Sequence, residues 1–142
     1  MSDNKPTVEL VYSIFCEDVR LEVGNKLSVM GIFQNIYVQQ LPITLMKLAV
    51  LSHWRGRGQH LSEVRILGPD KMSTIAVSPP TAFQIPPDGH ADNVTFFANL
   101  QFAVPGEYYV QTLIDSTLFC EQVIPVGVLA EAPQPQSNDR IN

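Results

Sequence analysis

A chain of 142 residues fits one domain with one buried core, and 45% hydrophobic against 16% charged residues is a sparse polar surface for that size. The net charge of -5 speaks against general binding to nucleic acid or anionic membranes. No stretch is apolar for long enough to span a bilayer, and two cysteines are too few for a disulfide scaffold.

The opening residues, 1–7, are polar and read as a disordered N-terminus without a signal-peptide pattern. A cytoplasmic protein with free, buried Cys16 and Cys120 is the expectation. Val8 to Cys16 then alternates, placing Val8, Leu10, Tyr12, Ile14 and Cys16 on one strand face and Glu9, Val11, Ser13 and Phe15 on the other.

Val19 to Phe33 reads as a hairpin around Gly24-Asn25, residues that tolerate the positive φ of a tight turn. A two-residue loop would set Leu21 against Ser28 and mix the faces. A loop of Val23-Gly24-Asn25 sets Leu21 against Leu27, Val19 against Val29 and Glu22 against Lys26. Each such matched pair contributes about 0.2–1 kcal/mol, so the odd loop is favoured.

Ile43 to Ser52 is apolar on both faces: Leu45, Ala49 and Leu51 on one, Met46, Leu48 and Val50 on the other. Pro42 and the run Trp54-Arg55-Gly56-Arg57-Gly58 bound it as a strand. Glu63 to Leu67 and Met72 to Ser78 bracket the turn sequence Gly68-Pro69-Asp70-Lys71 as a second hairpin. Ser78 to Asp92 holds Pro79-Pro80 and Pro86-Pro87 and reads as loop or edge. Val94, Phe96, Ala98, Leu100 and Phe102 alternate most clearly, with Phe97 as the exception. Glu107 to Ile114 and Leu118 to Val126, joined at Asp115-Ser116, complete the strands.

Around seven or eight strands and no helix predict an all-β, antiparallel two-sheet sandwich with an immunoglobulin-like Greek key over residues 8–129. Gly106-Glu107-Tyr108 matches the tyrosine corner of such folds, which would turn Tyr108, Val110, Thr112 and Ile114 inward. Residues 130–142 read as a disordered tail.

The run Cys16-Glu17-Asp18-Val19-Arg20-Leu21-Glu22, with Gly24-Asn25-Lys26-Leu27-Ser28 and Met30-Gly31-Ile32-Phe33, resembles the opening signature of a bacterial family known only as a domain of unknown function. Pro105-Gly106-Glu107-Tyr108 fits its later half. The resemblance implies a small β-sandwich of bacterial cytoplasmic origin and carries no catalytic residue with it.

Two charged groups stand out. Glu17, Asp18, Arg20, Glu22 and Lys26 read first as a strand corner whose charges neutralise one another, and otherwise as a ligand or partner contact. His53-Trp54-Arg55-Gly56-Arg57-Gly58-Gln59-His60 reads as a basic hairpin loop. Its alternative is an anion or carbohydrate site, with guanidinium forks beside an aromatic platform.

No metal site is expected, because His53, His60 and His90 follow no ligand spacing, and Asp88 to Asp92 lacks the oxygens of a calcium loop. No nucleophile elbow or phosphate loop exists, so no cofactor and no enzymatic activity are expected. The leading expectation is a protein-interaction or self-association module, with Met30, Ile32, Leu45, Met46, Leu48 and Phe97 on its contact surface.

Overall fold

The computed structural model describes residues 8–129, so the expected disordered ends lie outside the described residues. Nine strands run in chain order: β1 (Val8–Cys16), β2 (Asp18–Glu22), β3 (Lys26–Met30), β4 (Ile36–Val38), β5 (Ile43–Leu67), β6 (Thr74–Val77), β7 (Thr81–Phe102), β8 (Gly106–Ile114) and β9 (Thr117–Val128). No α-helix occurs among the described residues.

The hairpin β2–β3 has the register its side chains favour. Leu21 lies opposite Leu27, Val19 opposite Val29 and Glu22 opposite Lys26. Gly24 and Asn25 take φ of 87° and 59° in the loop between them. The turn between β8 and β9 is tighter: Ile114 faces Thr117, and Asp115 and Ser116 both have positive φ. The second expected hairpin also forms, β6 pairing with the end of β5. Asp70 closes its turn by accepting the N–H groups of Met72 and Ser73.

The expected two sheets are instead one curled seven-stranded sheet, in the order β1-β5-β8-β9-β4 with β6 and β7 also on β5, plus the small β2–β3 sheet. The cause is β5. Residues 53–60 were expected to break the chain into a loop, yet β5 continues through them for 25 residues. Gly56 and Gly58, at φ of 145° and 95°, bend the strand without ending it. Opposite the bend, Gly89 pairs with Gly56 and Ile85 with Gly58, so Pro86, Pro87 and Asp88 bulge against Arg57 alone. The prolines therefore sit where the ladder needs no donor, and of the stretch expected as loop or edge, residues 81–92 form edge strand, paired with β5 alone.

Before the bend β5 lies between β1 and β7; after it, β5 meets β8 and then β6. The main core joins these two halves. Phe15, Leu48, Val50 and Phe97 come from one, and Val64, Ile66, Tyr108, Val110 and Ile124 from the other. Val8, Trp54, Ile85 and Ile114 form a second core at the bend. Tyr108, Val110, Thr112 and Ile114 all point inward as expected. The Tyr108 hydroxyl donates to the Val104 carbonyl at 2.7 Å, closing the tyrosine corner.

Three alternations differ from the expected ones. A bulge between Leu10 and Tyr12 resets β1, so Phe15 is buried and Tyr12 is exposed. On β7, Asn99 takes φ of 56°, and the inward set changes parity there: Phe97 before it, Leu100 and Phe102 after it, with Phe96 exposed. β4, unmarked in the sequence, pairs parallel with β9, so the sheet is not wholly antiparallel.

Candidate functional site

Correct registration of β1, β5 and β7 builds a chemical row that the linear sequence scatters. Tyr12 lies opposite His53, and His53 opposite Asp92. In the next row Glu9 lies opposite Arg55, and Arg55 opposite His90. His53 Nδ1 stands 2.6 Å from Asp92 Oδ1, and His53 Nε2 stands 3.0 Å from His90 Nδ1. A carboxylate only accepts, so Nδ1–H of His53 donates to Asp92 and leaves a lone pair on Nε2. In the neutral pair that lone pair accepts from Nδ1–H of His90.

The surroundings hold the imidazole of His53 in place. The Tyr12 ring stacks on it at 5.0 Å between centroids and 10° between planes. Burial, and then the charge of Asp92, pushes the Tyr12 phenol above its usual range, so it stays neutral. Arg55 is engaged by Glu9 through its Nε and Nη2.

The residues expected to act together in a Trp54 loop are separated by strand geometry. His53 and Arg55 point outward, while Trp54 is fully buried and packs its ring on Phe83 and Phe119. Trp54 is therefore no exposed stacking platform, which overturns its expected ligand contact. Arg57 is exposed at the bend.

The second charged group behaves as a corner. Asp18 pairs with Lys47 at 2.8 Å and with Arg20 at 3.5 Å, and the Lys47 hydrogen bond leads the causes that lower its pKa. Lys26 faces Glu22 across the hairpin. The backbone N–H of Glu17 donates to the carbonyls of Met30 and Gly31.

The third histidine belongs to the fold. His60, 6% exposed, has Nδ1 2.9 Å from Asp115 Oδ2 and Nε2 2.9 Å from the Arg57 carbonyl. Both partners are acceptors, so the ring satisfies both only as an imidazolium. Burial pushes its pKa down, but the Asp115 and Arg57 hydrogen bonds and the Asp115 charge outweigh burial and raise it. Asp115 is lowered in turn, by the hydrogen bond to His60 and by that from the Leu61 N–H.

A second feature is the seam between β1 and β9. β1 pairs with β5 along one edge and meets only the isolated bridge from Phe15 to Phe33 on the other, and β9 leaves residues 117–125 unpaired on the side away from β8. A pocket of about 250 Å³ lies there, lined by Ser13, Phe15, Ile32, Phe33, Gln122 and Val123 among others. Gln122 Nε2 reaches across to donate to the Ser13 carbonyl at 3.2 Å. Its Oε1 is buried without a partner.

Of the expected contact surface, Leu48 and Phe97 are buried in the core, and Leu45 packs against it. Leu48 and Phe97 are interior residues because the two halves of the curled sheet close over them, whereas Leu45 is only partly buried. Ile32 and Met46 are exposed, and Met30 is half-buried. Cys16 and Cys120 are both free thiols, and burial leads the causes that raise each pKa.

Together these features define an all-β domain with an incompletely closed sheet and a histidine-bearing outer face. Residues 11–127 match the model of DUF6941, a family of unknown function, and the chain belongs to that family. No curated protein matches the chain. Among solved structures, the fold resembles the Pseudomonas fluorescens alkylpurine DNA glycosylase AlkC bound to DNA containing an abasic site analog. That match has a TM-score of 0.55 at 8% identity and covers 85% of this chain but 30% of the glycosylase. A β-glucosidase from Listeria innocua in complex with gluconolactone matches at TM-score 0.41 and 10% identity, over 83% of this chain and 17% of that one. The first likeness is one of fold alone, and the second is too distant to carry an inference.

Proposed function

We propose that this domain is a non-enzymatic protein-interaction module that takes an extended segment of a partner protein into the seam between β1 and β9. The observation that carries the reading is the pocket itself, where two strand edges face each other and are bridged by a side chain instead of a ladder. An added strand would meet backbone groups on β1, as in β-augmentation. Ile32 and Val123, 59% and 40% exposed on the rim, supply apolar contact for its side chains. A second copy of the chain is the alternative occupant. The Tyr108 corner supports reading the curled sheet as an immunoglobulin-like variant.

The test is selection of a displayed peptide library on the domain, followed by NMR mapping of the enriched peptides. Peptides that shift the Ser13 and Gln122 resonances and are lost with Ile32→Asp support the reading. Failure to enrich any peptide, or binding unaffected by Ile32→Asp, counts against it. Light scattering on the wild type and Ile32→Asp chains distinguishes self-association from capture of another protein.

A further inference from the structure

We propose that His53 and His90 form a binding site for one divalent transition-metal ion of tetragonal preference, Cu²⁺ in type, on the outer face of β1, β5 and β7. This site is separate from the seam, and its success or failure is independent of partner binding there.

The spacing of the two nitrogens carries the inference. His53 Nε2 and His90 Nδ1 are 3.0 Å apart. With metal–nitrogen bonds of about 2.0–2.1 Å, that separation gives an angle of roughly 95° at the ion. Such an angle suits adjacent positions of a tetragonal or octahedral ion, whereas a tetrahedral ion needs the nitrogens about 3.4 Å apart. Of the divalent ions with imidazole affinity, Cu²⁺ is bound most strongly.

The rest of the row supplies what a ligating histidine needs. Asp92 accepts Nδ1–H of His53, the carboxylate–histidine arrangement that fixes the tautomer and raises the basicity of the ligating nitrogen. Tyr12 stacks on the same ring and restrains its rotation. Glu9 engages Arg55, which occupies the row of His90, so the nearest cation is already paired.

The proton balance is simple. In the neutral pair one proton, on His90 Nδ1, lies between the rings. For the ion to bind there, His90 must change tautomer: its single hydrogen leaves Nδ1 and, by exchange with solvent, sits on Nε2, so the neutral pair releases no net proton. No third His, Cys, Asp or Glu side chain converges on the point among the described residues, so solvent or an added ligand completes the coordination. His60 offers no competing nitrogen, because both of its ring nitrogens are engaged inside the fold.

The test is titration of the full chain with CuCl₂, followed by calorimetry and electron paramagnetic resonance, with circular dichroism confirming that each variant is folded. The expected result is one ion per chain with an axial signal split by two imidazole nitrogens. His53→Ala and His90→Ala should each weaken binding by more than tenfold, and Asp92→Asn by about tenfold. Affinity unchanged in folded His90→Ala, or a signal with fewer than two imidazole nitrogens, overturns the proposal.

Discussion

Two histidine–aspartate pairs hang from β5, one on each side of its glycine bend, and they do opposite things. The His60–Asp115 pair is closed: the ring is buried and both nitrogens donate to acceptors. The His53–Asp92 pair is open: one nitrogen is fixed by the carboxylate, and the other faces a second imidazole at the surface. The same two residue types make a fastener in one place and a ligand in the other. What differs is whether the second nitrogen meets a backbone carbonyl or a group that can exchange its proton.

The sharpest way to break this contrast is to cut out its inner side. Trp54→Ala removes the largest side chain of the core at the bend and should cost about 3–5 kcal/mol in chemical denaturation. A loss below about 1 kcal/mol would mean that the indole is not buried as described. Asp115→Ala takes one acceptor from His60 and should cost about 1–2 kcal/mol, the exposure of Asp115 moderating the loss.

The pH dependence follows from the same pair. His60 is raised in the fold, so its contribution is full below about pH 6.5 and is lost as the pH rises through the raised value. Asp115 is lowered, so its contribution is full above about pH 4 and is lost as the pH falls through the lowered value. Thermal melts across pH should therefore show a maximum between these limits, and Asp115→Asn should flatten the alkaline side. The smallest effect belongs to the open pair. His53→Ala should change stability by no more than about 0.5 kcal/mol in the same melts; a larger loss would make the outer row structural.

The contrast between the pairs also marks how far the sequence could be read. The β2–β3 register was legible because Glu22, Lys26, Leu21 and Leu27 agree on one pairing and Gly24-Asn25 supplies the turn. The Tyr108 corner was legible because its partner lies four residues away. Gly56 and Gly58 were misread as a break because a glycine with positive φ ends a strand unless the neighbouring strand bulges to match, and Pro86 to Asp88 lie far along the chain. The histidine row was illegible for the same reason: His53 and His90 are 37 residues apart, and only the β5–β7 register joins them. The alternation in both segments was the available signal, and its parity change at Asn99 obscured it. β4 has three residues and a parallel partner, too little for any periodic signal.

The continuity of β5 through its bend has a consequence for how the chain reaches this fold. Val8 must find Gly56, Ile43 must find Phe102, and Ile36 must find Val126 before the sheet is complete. Among the described residues only the β2–β3, β5–β6 and β8–β9 hairpins are local, and none of them closes the main core by itself. Loop-closure entropy is therefore lost before most of the burial is gained, which places folding in the slow range of about milliseconds to seconds. During that interval the edges of β1 and β9 are open to other chains, so the seam between them is also the molecule's exposure to misassembly during synthesis.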